Sequence, residues 1–127
     1  MSGAAFARPV TLWVVRAAAQ EDVDVALNWT YNDDDEPQPS AFARAYGVGQ
    51  LDPAQTELYF GAPISGLLRG LPAIEAQVRP HLPEGDWNGL YLVHALTDPV
   101  TGPVGPVPVF DAVFCLVGTF GAVTPSA

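Results

Sequence analysis

The sequence predicts an α+β fold, with a mainly antiparallel sheet of about four strands and helices packed on one face. Three observations carry the prediction. Residues 10–16, 56–60, 90–96 and 109–120 are β-branched and aromatic runs that read as strands. Residues 20–31 and 64–82 instead repeat their apolar positions at helical spacing. The last two strand runs are joined by 98–108, a Pro/Gly-rich loop of the kind that connects antiparallel neighbours. Runs of strands and helices without strict alternation belong to the α+β class.

The length of 127 residues fits one domain over 1–127, with a loose lead-in at 1–8 and a tail at 121–127. In the helix at 20–31, Val23, Ala26, Leu27 and Thr30 or Tyr31 share one face. Glu21 and Asp22 sit in the first turn, where the helix dipole favours negative charge. Asp33, Asp34, Asp35 and Glu36 end that helix, and Pro37 and Pro39 forbid its continuation. Ser40 is the N-cap of a short helix over Ala41–Tyr46, and Gly47 suits its left-handed exit. Phe42 and Tyr46, four apart, present both rings to one neighbour. In the strand Thr56–Phe60, Leu58 and Phe60 face one way and Glu57 and Tyr59 the other. Pro72 and the glycines at 66 and 70 break residues 64–82 into a helical turn and a second helix with Pro72 near its start. In the last strand Phe110, Ala112, Phe114 and Leu116 face opposite to Val113, Cys115 and Val117. Two apolar faces give it a central position, or a face covered by a loop or a partner.

Composition narrows the function. Hydrophobic residues make up 49% of the chain and charged residues 15%, which fits a folded globular protein. Fourteen acidic residues face five arginines and no lysine, a formal charge of −9 at pH 7. Such a charge repels phosphate backbones and argues against nucleic acid as a ligand. It also attracts basic proteins and speeds their encounter, or simply keeps an apolar-rich chain soluble. The single Cys115 has no disulfide partner within the chain. Nothing reads as a signal peptide or as a membrane span of about 20 apolar residues, so the expected compartment is the cytoplasm.

No catalytic constellation emerges, and the chain reads as a non-enzyme without cofactor or metal. Counted from Asn32, a calcium loop would place Pro37 at its sixth position and Ala43 at its twelfth, where glycine and a bidentate acid belong. His81 lies beside prolines near a helix end, and His94 reads as a neutral, hydrogen-bonded strand histidine. A Cys115–His94 dyad is the one conceivable nucleophilic pair, against the simpler reading of an inert core cysteine. With no lysine, Schiff-base chemistry and a phosphate-loop lysine are both excluded. The expected binding residues are Trp29 with Asp33, Asp34, Asp35 and Glu36, and a second patch of Glu84, Asp86 and Trp87. Aromatic anchors ringed by acidic groups have the composition of a protein-binding hot spot, while a partly buried ring at the core's edge is the alternative for each tryptophan.

The order of features also resembles a known family. A tryptophan-bearing first strand and an acidic helix lead into Asp33-Asp-Asp-Glu-Pro-Gln-Pro-Ser40, then Phe42 and Tyr46-Gly47-Val48. Glu57-Leu-Tyr-Phe60, Leu67-Leu68-Arg-Gly70, Tyr91-Leu-Val93 and Phe114-Cys-Leu-Val-Gly-Thr-Phe120 follow. This resembles the immunity 22 family of bacterial polymorphic-toxin immunity proteins over most of residues 10–120. The chain departs from it in Pro37, which stands where the acidic turn would carry a glycine, and in the insertion at 99–108. The resemblance implies a cytosolic protein that binds and neutralises a cognate toxin and carries no catalytic residues. A basic nuclease would suit such an acidic inhibitor. The alternative is a non-catalytic interaction subunit or a homo-oligomer, such as a homodimer, whose sheet face pairs with itself through the two-faced apolar strand 109–120.

Overall fold

The structure is a computed structural model and describes residues 9–28, 30–48, 53–94, 100 and 105–121. Its frame is a five-stranded, wholly antiparallel sheet. In chain order the elements are β1 (Pro9–Arg16), α1 (Gln20–Leu27), β2 (Thr30–Tyr31), β3 (Pro37–Gln38), α2 (Ala41–Tyr46) and β4 (Thr56–Phe60). Then come α3 (Ile64–Arg69), α4 (Pro72–Val78), β5 (Gly89–His94), β6 (Pro106–Val109) and β7 (Ala112–Gly121). The strand order is β4-β5-β1-β7-β6, with β2 and β3 forming a separate two-stranded ribbon. The mixed α+β class therefore holds, with one strand more in the main sheet than expected. No helix among the described residues is long and apolar enough to cross a membrane.

The helices lie on both faces of the sheet, not on one. Alternation along the strands builds two separate cores. Trp13 and Val15 of β1, Tyr91 and Val93 of β5 and Phe114 of β7 pack with Val23 and Ala26 of α1 and Phe42 and Tyr46 of α2. Leu12 and Val14, Leu90 and Leu92, and Cys115 pack instead with Leu68 of α3, Ile74 and Val78 of α4, and Trp87. A central strand apolar on both faces requires a cover on each, and the two helix pairs provide it.

Phe42 is the hub of the first core. Its ring centroid lies 4.8–5.2 Å from those of Trp13, Tyr46, Tyr91 and Phe114. The Tyr46 hydroxyl donates to the Phe114 carbonyl at 3.4 Å, and burial pushes its pKa up to about 12. It is near enough to the Trp13 indole N–H to feel it, yet outside hydrogen-bonding geometry, so that N–H is buried without a partner. Ser40 caps α2 by accepting from Ala43 N at 3.0 Å, and Gly47 leaves it at φ 66, both as the sequence predicts. Pro72 occupies the first turn of α4, also as expected.

Three elements depart from expectation. The helix at 20–31 stops at Leu27, because Asn28 is already extended and Thr30–Tyr31 pair with Pro37–Gln38. The strand expected over 109–120 is a hairpin: Val109 closes β6, Phe110 and Asp111 turn, and Ala112 opens β7. Of the loop expected over 98–108, residues 106–108 are strand β6. That strand tolerates Pro106 and Pro108 because it sits on the sheet edge. Residues 98–99 and 101–104, like the lead-in at 1–8 and the tail beyond 121, lie outside the described residues. Within β7 the register slips by one residue, because Leu12 pairs with Gly118 and Trp13 with Leu116, which leaves Val117 as a bulge. The slip carries Phe120 to the α4 face, although it is an even number of positions from Phe114.

Candidate functional site

The ribbon β2–β3 presents the acidic run, and Asn32 shapes it. Its side-chain oxygen accepts from Asp34 N at 2.9 Å and Glu36 N at 3.0 Å. Its backbone carbonyl accepts from Asp35 N, and its own N–H donates to Glu36 O. Local side-chain bonding of this kind competes with helix and here replaces the last turn expected of α1. Asp35 takes φ 58, a left-handed conformation that aspartate tolerates. Asp33, Asp34, Asp35 and Glu36 are all exposed, and none makes a salt bridge among the described residues. Four carboxylates are thus held on a fixed turn with no salt bridge among the described residues.

Trp29 lies outside the described residues, and the aromatic that accompanies the acidic turn is Tyr31. It is 64% exposed and pairs with Pro37 across the ribbon. A helix over 20–31 would place Thr30 or Tyr31 on its inward face, so the apolar periodicity conceals an exposed Tyr31. Glu84 and Asp86 are exposed as expected. Trp87 corrects the expectation of an accessible anchor: it is only 3% exposed and belongs to the core beneath α3 and α4. Its indole N–H is shared between the carbonyls of Pro83 and Glu84, both at 3.1 Å, and the Arg16 guanidinium lies 5.3 Å from its ring centroid. Its edge contributes to an open cleft of about 480 Å³ with Phe60, Pro63, Asp86 and Asn88. The acidic turn leads into α2 on one side of the sheet, whereas Trp87 packs on the other. The two patches are borne by different layers.

His94 finds a partner that sequence spacing did not reveal. Its Nε2 lies 2.5 Å from Glu57 Oε2, and the Tyr59 hydroxyl donates to Glu57 Oε1 at 2.7 Å. The bonds from His94 and then Tyr59 hold the Glu57 carboxyl below its ordinary pKa, and the same bond raises that of Tyr59. The pairing joins residues 37 apart in sequence across β4 and β5, where no local motif could mark it.

A Cys115–His94 dyad does not form. Both residues face the α3/α4 side, but β1 runs between them, with His94 opposite Val10 and Cys115 opposite Val14. Four residues along the strands and two strand spacings across place them about 16 Å apart. Burial also pushes the Cys115 thiol up, away from the thiolate a nucleophile needs. Among the described residues no group of three or more His, Cys, Asp or Glu side chains converges as a metal site. No protein-family model, no curated protein and no solved structure matches the chain.

Proposed function

We propose that this chain is an acidic protein-binding module of the immunity type, which neutralises a basic toxin protein by covering its active site or substrate surface. One observation carries the reading. The carboxylates of Asp33, Asp34, Asp35 and Glu36 are exposed and fixed in place by Asn32, and they make no salt bridge among the described residues. Holding like charges together is unfavourable for the isolated chain, and an opposite charge on a partner relieves it. The net charge of −9 extends the same field over the molecule. The resemblance of residues 10–120 to the immunity 22 family supplies the toxin as the partner class. Nuclease toxins, whose clefts must be basic to hold polyanions, are the best match.

The test is co-expression, in a bacterial host, with the protein encoded immediately upstream. Growth arrest by that protein should be relieved by the wild-type chain. It should be relieved less well by a variant carrying Asp33→Asn, Asp34→Asn, Asp35→Asn and Glu36→Gln. Growth arrest that persists with the wild-type chain present sinks the proposal. A homo-oligomer is the second reading, and one observation favours it. Edge strand β6 is guarded by Pro106 and Pro108, whereas the opposite edge, β4, contains no proline. Light scattering that returns a monomer mass at micromolar concentration removes that reading.

A further inference from the structure

Phe110 is the most exposed large apolar side chain among the described residues, at 66%, and its backbone sits at φ 55. It is the first of two residues in the turn that joins Val109 to its strand partner Ala112. Tight hairpin turns that demand positive φ are normally filled by Gly, Asn or Asp, and a bulky side chain there is an outlier. Here Asp111, a residue type that tolerates this conformation, stands one place too late to occupy it. Core burial of Val109 (6%) and Ala112 (0%) on either side fixes the turn. The chain thus holds a strained backbone to display a ring that is largely exposed at its own surface. Strained residues of this kind gather at ligand clamps, and exposed aromatics at interfaces.

We propose that Phe110 is an aromatic anchor that inserts into an apolar pocket of the basic partner described above, with Asp111 meeting a cationic group on the pocket's rim. The inference rests on the proposed function and names a second contact for the same partner. The hairpin tip extends past Arg16, which lies opposite Val113, so the turn stands at an end of the sheet with the ring largely exposed. The charge of the chain selects the occupant. An anionic membrane would be repelled by Asp111 and by the net charge of −9. A second copy would carry the same charge, and its Phe60–Trp87 cleft would set Asp86 against Asp111. A basic surface has neither conflict.

Two measurements on the full chain test the anchor. In thermal unfolding, Phe110→Gly should raise Tm by a few degrees, because glycine accepts φ 55 and no packed ring is lost. A fall in Tm makes Phe110 a structural residue and overturns the proposal without any partner present. In biolayer interferometry against the protein encoded upstream, Phe110→Gly should dissociate at least about tenfold faster, with Phe110→Leu intermediate and association nearly unchanged. Equal dissociation by wild type and Phe110→Gly overturns the anchor while leaving the proposed function standing. No binding by the wild type overturns the proposed function and, with it, this partner for Phe110. A wild-type dimer that Phe110→Gly converts to monomer assigns the ring to a second copy and overturns the basic partner.

Discussion

Phe42→Ala removes the ring that ties α2, and through it the acidic ribbon, to the sheet. Phe42 is fully buried and touches four other rings, edge-on with Trp13 and Tyr91 and tilted with Tyr46 and Phe114. Truncating a buried phenylalanine loses its transfer free energy and leaves a cavity, together about 3–5 kcal/mol. Edge-to-face contacts add about 0.5–1.5 kcal/mol per pair beyond burial, although contributions within one cluster do not sum. The four rings stand on one helical and three strand positions, so they cannot all close over the gap. The expected loss is therefore about 4–5 kcal/mol, a large part of the ~5–15 kcal/mol that stabilises an ordinary domain. Urea unfolding should show a lower midpoint with the slope unchanged. A loss below about 2 kcal/mol would refute the view that this aromatic cluster anchors α2.

Three further outcomes follow from particular contacts. Asn32→Ala should speed amide exchange at Asp34 and Glu36, whose N–H groups it releases, while global stability falls by less than about 1 kcal/mol because the turn is exposed. Glu57 has a folded-state pKa below its ordinary value of 4.5, so its contribution to stability is complete above that value and is lost as pH falls through the lower one. The Tm deficit of Glu57→Gln should therefore be present at about pH 6 and shrink towards about pH 3, and a deficit independent of pH would disprove the link. Gly89→Ala should destabilise by about 1–3 kcal/mol. An added Cβ there would lie 3.0 Å from Phe60 Cδ1, 3.2 Å from Val15 Cβ and 3.3 Å from the Tyr59 carbonyl.

What the sequence made legible was local. Ser40 and Gly47 bracket α2 because capping is decided within a few residues of the chain, and the two faces of β4 follow from simple alternation. What it hid was set by contacts at a distance or by residues in uncharacteristic roles. Phe110 carries no turn signal, so Val109 to Phe120 read as one strand. Val107, Pro106 and Pro108 read as loop because an edge position cannot be known before the strand order. The bulge at Val117 exchanges the faces beyond it, and nothing but Gly118, at φ 152, marks it locally. The candidate site divided in the same way. The acidic turn stood out as a run of charge, whereas Trp87 looked like an anchor because the carbonyls of Pro83 and Glu84 that satisfy its indole are visible only in three dimensions.

The central claim is that the acidic turn steers a basic partner onto this chain, and the association rate tests it most directly. Binding to the protein encoded upstream should be followed by stopped flow from about 50 to about 300 mM salt, with wild type and with the variant neutralised at Asp33, Asp34, Asp35 and Glu36. Steering predicts that the wild-type on-rate falls at least about tenfold over that range, while the neutralised variant starts slower and depends less on salt. A wild-type on-rate flat in salt, or identical slopes for the two proteins, would contradict it.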